Sequence, residues 1–377
     1  MKVTVLQENL SRGLNTVSRA VSSRSTLPVL SNILIATDDG RLRLSATNLE
    51  LGITCWIGAK IEEEGSTTVP SRTLIDLVST MPDPQVSLTL DTRTQTLTLR
   101  SGSSTNDIKG IDAQEFPPLP VPDFDNAIQL NISDFKEMIQ QVAFASSTDE
   151  ARPVLMGVLL NVDKDTVTMA AADGFRLSVR KSNLSSPIAQ PINAIIPARA
   201  LQELARITPE GEQSLQMVMP KGRGQVIFRV KDVELISQLI DGTFPDYQQI
   251  IPRSYKSRTL APTAALLKAC KQAEIFAREG TNVVRLNIKT NGGDLQPSEV
   301  EISANSEETG SNETIVEATV DGIPLLIAFN VKFLREVLEV IKSPNVAIET
   351  SASNAPGVVR PVGDDNFLHV IMPMHLG

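Results

Sequence analysis

The sequence predicts an α+β protein built from three copies of one unit, each copy two helices laid over antiparallel strands. Three observations carry this. Apolar residues recur at helical spacing at matching places along the chain, a second helical segment repeats without gaps, and alternating apolar and polar runs fill the intervals. The copies lie roughly 125 to 130 residues apart, the size of a whole domain rather than of a solenoid repeat.

The first helix of each unit is read from Leu10, Leu14 and Val17, then Phe135, Ile139 and Val142, then Leu266, Cys270 and Ala273. Each set falls at i, i+4, i+7 and so shares one helix face. Ser133 and Thr263 are the expected N-caps of the second and third copies. The second helix reads "VPSRTLIDLV" (Val69 to Val78), "IPARALQELA" (Ile196 to Ala205) and "FNVKFLREVL" (Phe329 to Leu338). In register, Pro70, Pro197 and Asn330 stand at its start, Arg72, Arg199 and Lys332 two residues on, and Leu74, Leu201 and Leu334 on the apolar face. Proline suits a helix start because its missing N–H would be unpaired there anyway.

Between the helices, "RLRLSATNLEL" (Arg41 to Leu51) matches "TVTMAAADGFRL" (Thr166 to Leu177), with Asn48 facing Asp173, and "VEISANSEE" (Val300 to Glu308) is a looser third copy. "VSLTLDTRTQTLTLRSG" (Val86 to Gly102) reads as a hairpin. The Phe-Pro loops "FPPLPVP" (Phe116 to Pro122) and "FPDYQQIIP" (Phe244 to Pro252) close the first two units, which sets expected domains of 1–122, 123–253 and 254–377. The third unit has no such loop and finishes on "VIMPMHL" (Val370 to Leu376). That tail is either a buried last strand or an exposed adaptable edge suited to short peptides.

Composition excludes many chemistries. His369 and His375 are the only histidines, and Cys55 and Cys270 lack C-x-x-C spacing, so no metal site, cofactor or histidine-based triad is expected. No apolar stretch is long enough to cross a bilayer, and "MKVTVLQENLSRG" is no secretory signal, so the expected setting is the cytoplasm, with no membrane partner. Ser133 and Lys136 fit a Ser-x-x-Lys pattern, but its companion motifs are absent and the chain is not expected to be an enzyme. "TNGGDLQPSE" and "NSEETGSNET" read as solvated turns in preference to calcium loops.

A formal charge of −9 argues against nucleic acid, yet net charge does not say where charges sit. The helical segments carry a basic surplus that includes Arg12, Arg19, Arg72, Lys136, Arg199, Lys268, Lys271, Lys332 and Arg335. Two readings stay open: ordinary solvated helix faces, or a repeated phosphate-binding surface that gives affinity without sequence readout.

"TLPVLSNILI" (Thr26 to Ile35), "ADGFRLSV" (Ala172 to Val179), "IPARAL", "DGTFPDYQQIIP" and the terminal "VIMPMHL" together resemble the bacterial β sliding clamp family, the DNA polymerase III β subunits, from Met1 to Leu376. The resemblance implies three clamp domains per chain and a head-to-tail homodimer forming a six-domain ring around double-stranded DNA. It implies DNA contact by Arg24, Thr148 and Arg152 beside the helix cations Arg12, Arg72, Lys136, Arg199, Lys268 and Lys332. It implies a peptide pocket made by Leu155, Ala172, Gly174, Phe175, Arg176, Leu177, Pro245, Ile250, Asn330, Phe333, Val370, Ile371, Met372, Pro373, Met374 and Leu376. The implied users of that pocket are the replicative polymerase α subunit, the clamp-loader δ subunit, and repair and translesion polymerases carrying short linear motifs. Ile275 and Phe276 are implied to meet the strand near Ile108 across the subunit interface. Phe175, Gln249 and His375 depart from the family's usual residues and make the expected pocket more apolar and less basic.

Overall fold

Among the described residues, six α-helices form where the threefold pattern places them. The computed structural model describes residues 1–22, 26–209, 211, 213–290 and 298–375. Its helices are α1 (Gln7–Val17), α2 (Ser71–Ser79), α3 (Ile132–Val142), α4 (Ala198–Ile207), α5 (Thr263–Ala277) and α6 (Val331–Val340). The nine residues read as the inner face of α1, α3 and α5 are all buried, as are Leu74, Leu201 and Leu334 of the second helices. Arg72, Arg199 and Lys332 are exposed. Burial of one apolar stripe per helix is what holds helices this short, which would be marginal in isolation.

The helix starts differ from expectation. Helix α3 begins at Ile132, which puts Ser133 inside the first turn, and Thr263 is the first residue of α5, its hydroxyl donating to the Ser343 carbonyl at 2.8 Å. Neither is an N-cap. Pro70 and Asn330 occupy the cap positions of α2 and α6, and Pro197 ends the strand that runs directly into α4. Asn330 caps through its own side chain, Oδ1 accepting the Lys332 N–H at 3.0 Å. With these bounds the six helices hold nine Lys and Arg against eight Asp and Glu, a surplus of one. Helix composition alone therefore does not make a basic surface.

Among the described residues the strands form two 12-stranded antiparallel sheets. The chain divides into two compact units, Met1–Ile132 with Ala200–Leu239 and Ser133–Arg199 with Ile240–Gly377, one sheet in each. The division cuts the middle repeat because its strands join both neighbours. Strand Val233–Gln238 pairs with Leu51–Glu63, and strand Arg176–Asn183 pairs with Phe367–Ile371. The two joins are equivalent bond for bond: Trp56 N–H donates to the Asp232 carbonyl and Lys181 N–H to that of Asn366, both at 2.9 Å. The expected hairpin appears as Gln85–Asp91 paired with Thr96–Ser101. "NSEETGSNET" forms the turn between Ser298–Ser306 and Gly310–Gly322, whereas residues 291–297 of "TNGGDLQPSE" lie outside the described residues.

Cys55 and Cys270 are free and buried. Among the described residues no cluster of His, Cys, Asp and Glu could hold a metal ion, and no helix is long and apolar enough to cross a membrane.

Candidate peptide-binding site

A tight turn sets the geometry of the site. Asp173 Oδ1 accepts the N–H groups of Phe175 and Arg176 at 2.9 and 3.0 Å. Asn48 does the same for Glu50 and Leu51 at 3.0 and 2.8 Å, so the repeat extends to individual hydrogen bonds. The residue between must take a positive φ. Gly174 does so at +95° without a Cβ penalty, while the first repeat forces Leu49 to +78°. The turn leaves Phe175 60% exposed.

Arg176 points the other way. Its Nε donates to Asp173 Oδ2 at 3.0 Å, Nη2 to the Phe144 carbonyl at 2.8 Å, and Nη1 to Glu336 of α6. The guanidinium lies 4.3 Å from the Phe333 ring centroid and 5.3 Å from that of Phe144. With a side chain 7% exposed, Arg176 ties the turn to α6 and is not an available pocket charge. Phe333 serves as its stacking surface and Asn330 as the cap of α6.

The strand Phe367–Ile371 alternates as a strand must. Phe367 and Ile371 enter the core of the third repeat, while Val370 joins Ala172, Leu177, Leu159, Val179, Ile195 and Val358 in a separate apolar cluster. Ala172, Leu177 and Val370 therefore form one apolar floor, and Ile371 is a core residue. Val154, Phe244, Tyr247, Ile251 and Leu368 pack against that floor and were not foreseen. Alternation along "FLHVI" and the aromatic content of the Phe-Pro loop were the signals that could have found them. Leu155 is half-buried, and Pro245 and Ile250 are exposed on the Phe-Pro loop. Gln249 is occupied locally, its Nε2 donating to Asp246 at 2.9 Å.

The tail is pinned beyond its strand. Met372 N–H donates to the Phe175 carbonyl and Met374 N–H to the Ala328 carbonyl, both at 2.8 Å. Met372 stays exposed while Pro373 and Met374 are half-buried, and Leu376 lies outside the described residues. Phe175, Pro373, Met374 and His375 also border a cavity of about 550 Å³ with Val283, Arg285 and Asn312. Beneath the tail, His369 is fully buried, its Nδ1 2.5 Å from Ser178 Oγ and its ring stacked on Phe144 at 5.4 Å. Burial, then the nearby Arg176 charge, pushes its pKa down to about 3, so the imidazole is neutral.

The expected DNA contacts are less uniform. Arg12, Thr148, Arg152, Arg199 and Lys268 are exposed, Lys136 is half-buried, and Arg24 lies outside the described residues. Arg72 and Lys332 each stand 3.9 Å from an acid on their own helix, Asp76 and Glu336. Arg152 is engaged within the chain, donating to Asp149 Oδ2 at 2.9 Å and to the Asp173 carbonyl at 3.1 Å. The Ala151 N–H and then Arg152 hold the Asp149 carboxyl below its ordinary range. Ile275 is 52% exposed, Phe276 packs against the third-repeat core, and Ile108 is buried within its sheet.

Comparison with known proteins agrees with this arrangement along the whole chain. The DNA polymerase III β subunit family models match in order, N-terminal domain at residues 1–120, central domain at 129–246 and C-terminal domain at 248–375. The chain is 34% identical to the beta sliding clamp of Synechococcus elongatus, with 100% of each chain covered. It is 32% identical to that of Bacillus subtilis, with 99% of each covered. The crystal structure of the DNA polymerase sliding clamp from Bacillus subtilis superposes with a TM-score of 0.93 at 30% identity, covering 100% of both chains. Threefold repetition, strand joins and full-length similarity agree: the chain belongs to the DNA polymerase III β subunit, or β sliding clamp, family.

Proposed function

We propose that two copies of this chain close head to tail into a ring around duplex DNA and tether the replicative polymerase to it, with no catalysis of their own. The observation that carries this reading is an edge left open at one of three equivalent places. Residues 51–55 pair with 233–237, and residues 176–180 with 367–371. Thr4 pairs with Lys60 and its counterpart Leu260 with Thr319, which makes residues 310–314 the third equivalent. Among the described residues they are paired on one side only, to Ser298–Ser306. The strand Ser104–Lys109 ends its own sheet and offers the complementary edge. Carrying the register across sets Ile108 of one subunit opposite Gly310 of the next.

Side chains support the same closure. Arg19, Phe144 and Ile275 are equivalent positions, the first two in the short turns of helix that follow α1 and α3 and the third in the last turn of α5. Arg19 bonds Glu203 of α4 at 3.1 Å, and Phe144 packs against the third-repeat core. Ile275 is apolar and 52% exposed, suited to the α2 face of a partner subunit. The repeats 1–122, 123–253 and 254–377 serve as the ring's domains. The floor of Ala172, Leu177 and Val370 takes the apolar anchors of short linear segments from the polymerase α subunit, the clamp-loader δ subunit, and repair and translesion polymerases. The setting is the cytoplasmic nucleoid. Primer extension on a long single-stranded circle with the cognate polymerase and loader tests the function. Product length per binding event is expected to rise steeply when the chain is added, and unchanged length contradicts the proposal.

A further inference from the structure

We infer, resting on the peptide-site reading, that the apolar floor continues into an arginine-lined cleft that takes acidic residues flanking the anchors of a docked segment. Floor and cleft share one sheet face. Leu177 pairs with Val370, Val370 with Val358, Val358 with Glu349 and Glu349 with Arg258, so five neighbouring strands set these residues in a row. Val358 belongs to the apolar cluster of the floor and also borders the cleft, whose volume is about 380 Å³. At about 4.8 Å per strand, three strand steps put Arg258 roughly 14 Å from Val370. An extended peptide covers that span in about four residues. Arg253, Arg258 and Arg360 border the cleft against Glu349 and Asp365, a surplus of one positive charge. Glu349 lies between two of the arginines: Arg360 Nε donates to it at 3.2 Å and Arg258 Nε stands 3.5 Å away. That carboxylate is thereby matched and holds both side chains in place. Among the described residues Arg258 Nε is buried without a hydrogen-bond partner, while Arg253 on the rim is exposed. Guanidinium donors therefore remain for an incoming carboxylate, whose two oxygens suit their forked geometry.

The repeats supply an internal control. At the first sheet join the register places Val218 and Ala127 where Glu349 and Arg258 stand at the second. Arg229 is the counterpart of Arg360, but it is spoken for: its Nε donates to Glu234 at 2.7 Å and its guanidinium lies 3.7 Å from the Phe124 ring centroid. At the second join Leu368 replaces Glu234 and Tyr255 replaces Phe124, and Tyr255 is 45% exposed. The floor differs in the same sense, with Ser45 and Thr54 at the first join against Ala170 and Val179 at the second. Apolar floor and arginine cleft thus occur together at one join and are both replaced at the other. Their pairing is what a segment with apolar anchors and an acidic flank requires.

Fluorescence anisotropy of the full-length protein with a labelled clamp-binding segment of the cognate polymerase α subunit tests this. The segment is extended at one end or the other by about four residues that finish in Glu-Glu or in Gln-Gln. At one end, the Glu-Glu form is expected to bind about fivefold tighter than the Gln-Gln form, with the gain shrinking as salt is raised. The double variant Arg253→Gln, Arg258→Gln is expected to abolish that preference and to leave the affinity of the unextended segment unchanged, which also verifies the fold. Arg253→Gln alone, at an exposed position outside any strand, is expected to reduce the preference and keeps the test open if the double variant fails to fold. A preference that survives these substitutions overturns the cleft. Loss of duplex binding in the double variant with the preference intact assigns the arginines to DNA and overturns it too. Wild-type protein that does not bind the unextended segment refutes the peptide-site reading itself, whereas binding with no preference at either end refutes the cleft alone.

Discussion

The guanidinium of Arg176 stacks on Phe333 at 4.3 Å and bonds Glu336 one turn further along α6, so a side chain of the middle repeat is gripped by two successive turns of a third-repeat helix. Arg176→Ala leaves Asp173, Glu336 and the Phe144 carbonyl without their shared donor. The expected loss is about 2 to 3 kcal/mol, at the low end for a broken buried ion pair because Lys332 and Arg335 still lie near Glu336. Arg176→Lys is expected to recover less than half, since an ammonium cannot bond three groups and stack at once. Urea unfolding of the two variants measures both.

His369 gives a pH dependence whose sign follows from its buried, neutral state. The unfolded chain takes up a proton on this residue below about 6.5, the folded chain only near pH 3. Its contribution is therefore present above the unfolded pKa and is lost as pH falls from about 6.5 toward 3, at up to ~1.4 kcal/mol per pH unit. His369→Gln is expected to flatten that limb of the stability profile by one proton. An unchanged slope would show that another group titrates there.

The two equivalent turns invite opposite substitutions. Gly174→Ala puts a Cβ at φ +95°, 3.0 Å from Arg152 Nη1, and is expected to cost about 1 to 2 kcal/mol. Leu49→Gly relieves the same conformation at an exposed site, and the added freedom of the unfolded chain limits the gain to under ~1 kcal/mol. Thermal melting of the pair should move in opposite directions.

At the proposed peptide site, Met372 is an exposed tail residue beside the floor, held by its N–H to Phe175. Met372→Glu is expected to weaken binding of a clamp-motif peptide about tenfold, or ~1.4 kcal/mol, with an unchanged melting temperature. Isothermal titration reads the affinity. An unaltered affinity would move the peptide elsewhere.

Much of this was legible in the sequence, for reasons that differ by residue. Leu10, Phe135 and Leu266 announced three helices because a buried stripe must repeat at helical period, and Asn48 and Asp173 announced two turns because each side chain satisfies the same pair of N–H groups. The caps do not fall at Ser133 and Thr263, since a strand running directly into a helix leaves the cap to whichever residue ends the strand. The family resemblance places Arg176 and Ile371 in the pocket, but strand alternation and a stacking partner on α6 turn both inward. Val154, Phe244 and Tyr247 escaped because their contact with Leu177 and Val370 joins segments far apart in the chain, which local pattern does not encode.

Encirclement of DNA is the central claim, and topology tests it most directly. The protein is loaded onto nicked circular DNA with a clamp loader, isolated by gel filtration, and the DNA is then cut once with a restriction enzyme. Retention on the circle at moderate salt and rapid loss after linearisation are expected, and Ile275→Asp, placed at the proposed subunit contact, should not be retained at all. Protein that stays on the linear DNA and dissociates only as salt is raised would contradict the ring.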